Sequence, residues 1–159
     1  MSHADTFVIF ELDQAAYGIR SSDIQHVGMV EHITAVPNTA AAVDGVVFSR
    51  GQVIPAINLR VRFGLPRQAQ TTRSRLIFLK VGERIVALLV DSAREFQRIP
   101  PESIQPTQKN LVGIEGNYVA GVANVKNRSI LILDVASVLT IDEITPPPVP
   151  AGSTNPASS

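Results

Sequence analysis

The residue best placed for acid chemistry is Asp91, which follows the apolar stretch Ile85–Val90 and precedes Ser92 and Ala93. An aspartate in such a loop could hydrolyse peptides if two carboxylates shared one proton across a dimer axis. The bland interpretation is that Asp91 ends a buried strand and bonds the amides of a turn, as short acidic side chains commonly do. We expect this structural role and keep the hydrolase as an alternative.

Other patterns that would point to catalysis are missing from the sequence. His3, His26 and His32 do not have the spacing of a metal site, and the absence of cysteine removes thiolate nucleophiles and disulfides. The sequence contains no Gly-x-Ser-x-Gly nucleophile motif and no phosphate-binding loop. The Asp91 loop resembles that of retroviral-type aspartic proteases, but no convincing second motif accompanies it. We therefore expect no catalytic residue, no metal and no cofactor.

A locally basic stretch offers a second alternative, a nucleic-acid-binding β-barrel. Its members are Arg60, Arg62, Arg67, Arg73 and Arg75. Only Phe63 stands among them as an aromatic, whereas single-strand recognition usually needs stacking platforms. The whole chain is neutral, with 14 basic and 14 acidic residues. A solvated connection or a protein-docking edge is the better interpretation, since arginine suits carboxylate partners.

The elements that would position these residues form a repeat. The segment Val43–Leu59 returns in related form as Val119–Val135, and each copy predicts a hairpin followed by a polar residue and a short helix. The apolar content is rich in Val and Ile, which favours strands over helices. The sequence therefore predicts an all-β fold of two similar units with a groove between them.

Local signals divide the 159 residues further. A capping-box pattern at Ser22 and Gln25 predicts a helix at 23–27, with a strand at 29–36. The polar segment 66–74 predicts the joint between the halves. No apolar run reaches the roughly 18 residues of a membrane span, and the N-terminus lacks the features of a signal peptide, so we expect a cytosolic protein.

Taken in order, these segments resemble the CheW-like family of chemotaxis coupling proteins, from about Thr6 to Ile141. No single piece is diagnostic, but the series in this order and spacing is specific. It consists of Phe7–Phe10, Tyr17–Ile19, Val36–Pro37, Gly45–Val47, Arg50–Arg60, Phe63–Gly64, Val90–Asp91, Ile104–Pro106, Tyr118–Val122 and Ile130–Asp134.

This resemblance implies two intertwined five-stranded SH3-like β-barrel subdomains with short helices, packed through a shared apolar seam. We expect a single CheW-like domain at 5–142, with a first barrel at roughly 15–66, a second at roughly 75–142 and the N-terminal strand near the seam. The Pro-rich tail at 143–159 is expected to be disordered.

The resemblance also implies a cytoplasmic signalling adaptor without chemistry of its own. Its expected partners are the regulatory domain of a CheA-type histidine kinase and the cytoplasmic tip of a methyl-accepting chemoreceptor, with other CheW-like domains as a further option. Nucleic acid and direct membrane insertion are not expected. Association with membrane receptor arrays would come through the partners.

Residue by residue, the resemblance places Ile24 on a kinase-facing surface, and Val27 and Arg50 beside a receptor helix. His26 stands where the family often has a glutamate that can pair with the arginine at the position of Arg50. The predicted partner-binding residues are Ile24, His26, Val27, Gly45, Arg50 and Gly51.

Overall fold

The computed structural model describes residues 5–30, 32–37, 39, 41–106 and 119–138. Within these ranges the strands are β1 (Asp5–Leu12), β2 (Ala15–Arg20), β3 (Ile24–Met29), β4 (Val43–Ser49), β5 (Gln52–Asn58), β6 (Arg75–Val81), β7 (Arg84–Val90), β8 (Ser92–Ile99), β9 (Ile104–Pro106), β10 (Val119–Val125) and β11 (Arg128–Leu133). The helices are α1 (Leu59–Arg62) and α2 (Val135–Val138), with 3-10 turns at Ser21–Asp23 and Pro101–Ser103. The tail predicted at 143–159 lies outside the described residues.

The strands form two sheets, which confirms the predicted all-β class. One sheet has the order β8-β1-β2-β11-β10-β9, and the other has the order β3-β6-β7-β5-β4. Neighbouring strands are antiparallel except for β5 with β7 and β11 with β2, which are parallel. The first sheet has one strand more than expected, because the three-residue β9 adds to its edge.

The chain divides between the sheets differently from the predicted ranges 15–66 and 75–142. Strand β2 belongs to the six-stranded sheet, whereas β6 and β7 belong to the five-stranded sheet. The reason is the two-sided burial of β6, in which Leu76 and Phe78 face one core while Ile77 and Leu79 face another. A strand that is apolar on both faces must be covered on both faces, and β6 is covered in this way in the interior of the five-stranded sheet, between β3 and β7.

Three apolar clusters hold the molecule together. One lies within the six-stranded sheet and includes Phe7, Ile9 and Ile130. Another lies within the five-stranded sheet and includes Ile54 and Phe78. The third, which we call the seam cluster, joins the two sheets and consists of Phe10, Leu12, Tyr17, Ile19, Ala42, Val43, Ile57, Leu59, Phe63, Ile77, Leu79, Val86, Leu88, Val90, Val119, Leu133 and Val138.

The predicted repeat appears as two related hairpins, which we call the first hairpin (β4–β5) and the second hairpin (β10–β11). Each is followed by a short helix, α1 or α2. Asn58 caps α1 by accepting a hydrogen bond from the Val61 amide at 3.3 Å. Such a cap satisfies one of the amides that a helix start leaves without a partner.

Two local predictions between β2 and β4 are wrong. Residues 23–27 do not form a helix, since Ile24–Met29 pairs antiparallel with β6 and only a 3-10 turn precedes it. Of the described residues in 29–36, Met29 ends β3 and Thr34 makes a single bridge to Val46, and the others belong to no strand. Pairing with an apolar partner strand outweighs the weak preference of a capping pattern for helix.

Candidate functional site

The carboxylate of Asp91 is engaged in a two-pronged ion pair with Arg60. Arg60 donates from Nε to Oδ1 at 2.9 Å and from Nη2 to Oδ2 at 2.8 Å. The Asp13 amide donates to the same Oδ2 at 2.9 Å. Acid hydrolysis needs a carboxyl that shares a proton with a second one. Asp91 instead accepts hydrogen bonds from three donors, which is the structural role expected from the sequence.

The electrostatics of Asp91 agree with this assignment. Burial acts to raise the pKa of Asp91, but the hydrogen bond and charge of Arg60 and the amide of Asp13 outweigh burial and hold the pKa below its usual range. The hydrogen bond to Asp91 is the main cause of the raised pKa of Arg60. Both groups therefore stay charged at neutral pH, whereas an acid that delivers protons requires a raised carboxyl pKa.

The arginines of the stretch 60–75 make contacts within the chain. Beside the Arg60 pair, Arg67 meets Asp44 at 2.8 Å and Arg73 lies 3.8 Å from Glu11. The other two bond carbonyl oxygens, Arg62 that of Val138 at 2.6 Å and Arg75 those of Thr72 and Ser74 at 2.8 Å. These contacts tie the connection 66–74 to both sheets, so the stretch acts as internal bracing.

The tip of the first hairpin is the most exposed apolar and cationic feature among the predicted site residues. Its turn residues Arg50 and Gly51 both have positive φ, 54° and 77°, as a type I′ turn requires. Beside the turn, Phe48 and Val53 face each other across the two strands and are 64% and 47% exposed. No carboxylate in the described ranges lies within ion-pair distance of Arg50.

Gly45 lies within β4, away from the hairpin tip. It is buried, has a φ of +148°, and a Cβ there would overlap the Thr34 carbonyl oxygen. The absence of a side chain lets Thr34 exchange two backbone hydrogen bonds of 2.8 Å with Val46. Gly45 therefore shapes the edge of β4 and contributes no side chain to a partner surface.

The three predicted site residues on β3 point in two directions because the strand has a bulge between Ile24 and His26. Ile24 and Val27 are half-buried and pack against the seam cluster. The His26 ring stacks on Phe78, with ring centres 4.1 Å apart and planes 16° apart. His26 thus lies flat against the five-stranded sheet, and of these three residues only Ile24 and Val27 extend the seam cluster toward the surface.

The structure groups the predicted residues into two sets. Ile24, His26 and Val27 share β3, whereas Arg50 and Gly51 lie at the tip of the first hairpin, and β3 and β4 are at opposite ends of the strand order. The predicted partner-binding residues did not include Phe48 and Val53, the exposed apolar pair at this tip. The signal was available, since they flank the turn symmetrically and alternate with the buried Val47 and Ile54.

The described part of the chain contains no group of three or more His, Cys, Asp or Glu residues that could hold a metal ion. Among the same residues, none of the helices has the length and apolar character needed to cross a membrane.

Comparison with known proteins points to one family. The model of the CheW-like domain matches residues 6–143. The chemotaxis protein CheW of Klebsiella aerogenes is 28% identical over 138 residues, covering 87% of this chain and 83% of that protein. The CheW of Thermotoga maritima is 30% identical over 136 residues, covering 86% and 87%. The crystal structure of scaffolding protein TtCheW from Thermoanaerobacter tengcongensis superposes with a TM-score of 0.77 at 29% identity, covering 84% of this chain and 90% of that one.

Proposed function

Because this chain belongs to the CheW-like family, we propose that it is a non-catalytic signalling adaptor that couples methyl-accepting chemoreceptors to a CheA-type histidine kinase. On this proposal the chain works in the cytoplasm and reaches the membrane only through the receptors. Other CheW-like domains are further partners that the shared fold would suit.

The observation that carries the proposal is the exposed tip of the first hairpin. The Arg50 guanidinium, which has no ion pair among the described residues, lies near two exposed apolar side chains, Phe48 and Val53. Aromatic residues and arginine are among the types that protein interfaces favour. A receptor helix with a carboxylate next to an apolar stripe would satisfy both features of this tip.

We assign the second partner to the β3 side of the five-stranded sheet. Ile24 and Val27 both pack against the seam cluster there. Val27 was expected beside the receptor helix, but because it shares this strand and this cluster with Ile24, we propose that both form an apolar contact with the kinase regulatory domain. His26 cannot act as the anion that relatives often carry at its position, and its ring is stacked on Phe78. Arg50 is therefore left to meet a carboxylate of the partner.

The test is co-sedimentation of the purified chain with a receptor cytoplasmic fragment and a CheA kinase from the same genome. Wild type should enter a ternary assembly, and Arg50→Glu should enter it poorly because the reversed charge repels the partner carboxylate. The matched control is Lys126→Glu, the same charge reversal at the same position of the other type I′ turn. Equal loss for both variants, or no assembly with wild type, would contradict the proposal.

Neither alternative function gains a specific observation. Asp91 is held as a carboxylate by Arg60, and the arginines of 60–75 are engaged inside the chain. If the chain is an adaptor, it should have no peptidase activity that depends on Asp91. It should also show no steeply salt-dependent binding to nucleic acid.

A further inference from the structure

Asp91 stands where the chain passes from one sheet to the other. Strand β7 of the five-stranded sheet ends at Val90, and β8 of the six-stranded sheet begins at Ser92. The Asp91 amide donates to the Glu11 carbonyl at 3.1 Å, and the Asp91 carboxylate accepts from the Asp13 amide at 2.9 Å. Backbone and side chain thus fix Asp91 to the β1–β2 hairpin of the six-stranded sheet.

Arg60 reaches the same carboxylate from the other sheet. It lies on α1, directly after β5, and only 6% of its side-chain surface is exposed. Its remaining contacts are Nη1 to the Pro66 carbonyl at 2.9 Å and Nη2 to Asp13 at 3.6 Å. Each donor nitrogen of the guanidinium therefore has a partner. Two of these partners, the carboxylates of Asp13 and Asp91, belong to the six-stranded side of the molecule.

The seam cluster and this ion pair contribute different things to the contact between the sheets. Apolar burial is large but non-directional, so it favours contact without selecting one angle. A planar guanidinium on a carboxylate accepts only a narrow range of orientations. The seam cluster favours contact between the sheets, and the fork adds a directional preference for one orientation.

We propose that Arg60 is a positioning residue: with Asp91 and Asp13 it forms an inter-barrel clamp that sets the angle between the two barrels, each of which is built on one of the two sheets. A binding surface formed by residues of both barrels then has one fixed shape. The clamp needs no partner for this effect. The further step, that partners recognise this fixed shape, rests on the proposed adaptor function.

The clamp can be tested without any partner by measuring distances between spin labels on the two barrels. The chain has no cysteine, so cysteines at the exposed Glu83 and Asn124 would carry the only labels. Wild type should give one narrow distance distribution. Arg60→Met should give a broadened or displaced distribution, and Asp91→Asn should do the same through the other half of the pair. Asp91→Asn preserves side-chain size, which gives a second route if Arg60→Met does not fold.

Two controls separate positioning from general stabilisation. Arg67→Met removes the ion pair with Asp44, which does not involve the six-stranded sheet, and should leave the distance distribution unchanged. Arg60→Lys retains the charge but not the fork, and should still broaden the distribution. A distribution as narrow as wild type in folded Arg60→Met or Asp91→Asn would overturn the proposal, as would equal broadening in Arg67→Met.

The partner step has its own readout. If Arg60→Met leaves about one molecule in five with the wild-type angle, apparent affinity for the receptor fragment should fall about fivefold. Broadened distances with unchanged affinity would overturn the partner step and leave the clamp standing. Failure of wild type to bind any receptor fragment would overturn the proposed function, and the spin-label distances would still decide the clamp.

Discussion

The two related hairpins share a backbone plan. Both first strands carry a bulge at a buried glycine, Gly45 in β4 and Gly121 in β10. Both glycines lie against a segment that covers the outer edge of their strand, around Thr34 in one case and β9 in the other. Both hairpins close with a two-residue turn of positive φ. The positions that build the barrel are therefore the ones that recur.

The tips of the same hairpins differ. Phe48 and Val53, exposed and apolar, correspond to Asn124 and Ser129, whose polar side chains lie 3.5 Å apart. Each is the second cross-strand pair from its two-residue turn, so the backbone frame is the same. A polar pair suits a surface that faces water, and an apolar pair suits a surface that a partner covers. This difference supports the proposal that the first hairpin binds a partner.

Among the features that the two hairpins share, the bulge glycines are the positions where substitution should cost the most stability. Gly45→Ala should lower the free energy of unfolding by about 3 kcal/mol, since it combines positive φ with overlap on the Thr34 backbone. Gly121→Ala should cost about half as much. Its Cβ would meet the Ile104 side chain at 2.6 Å and the Gln105 carbonyl oxygen at 2.8 Å, but both lie on the three-residue edge strand β9, which can shift, and no positive φ adds strain. Urea unfolding of the two variants measures both values, and a larger loss for Gly121→Ala would contradict this ranking.

The next largest effect on stability is expected at the ion pair. Asp91→Asn should lower the free energy of unfolding at neutral pH by about 2 kcal/mol, a discounted value because Asp91 is 31% exposed. A carboxyl with a lowered pKa stabilises the fold above its unfolded pKa and loses this contribution as pH falls through its folded pKa. The difference between wild type and variant should therefore shrink as pH drops below the ordinary value of 3.8.

This pH dependence is measured by urea unfolding of wild type and Asp91→Asn across an acid series. Because the remaining acidic groups are common to both proteins, their titration cancels in the difference. A difference that stays constant from neutral pH to well below 3.8 would show that the charge of Asp91 is not what stabilises the fold.

The smallest effect on stability is expected at the ion pair between Arg67 and Asp44. Arg67 is 57% exposed at its side chain, so Arg67→Met should change the free energy of unfolding by only about 0.5 kcal/mol. The same unfolding measurement provides the value. A loss as large as that of Asp91→Asn would mean that both ion pairs contribute equally to the free energy of unfolding. The pair that connects the two sheets would then stabilise the fold no more than a pair that does not.

The repeat made much of the fold predictable from sequence. Alternation around Arg50-Gly51 and Lys126-Asn127 marks both hairpins, and Asn58 marks the start of α1, because turns and caps depend on neighbouring residues. The pairing of β3 with β6 was missed, and so was the distribution of strands between sheets. Both depend on contacts distant in sequence, which no local pattern encodes.

The candidate site was predictable to a similar degree. Asp91 and Arg60 were each singled out, Asp91 for a structural role with hydrolysis as the alternative and Arg60 within a basic stretch with nucleic-acid binding as the alternative. Their ion pair was not predicted, because it forms only once the end of β7 and α1 are adjacent. Arg50 and Gly51 lie at an exposed tip as their turn pattern indicates. Gly45 is buried under Thr34, which no sequence feature revealed.

We propose that the apolar tip of the first hairpin binds a partner and that the polar tip of the second hairpin does not. The most direct test gives the first hairpin the second's residues, Phe48→Asn with Val53→Ser, and titrates a receptor cytoplasmic fragment by calorimetry. We predict a loss of about 2 kcal/mol, roughly 30-fold in affinity, with unchanged thermal unfolding. Wild-type affinity in the exchanged protein would contradict the claim.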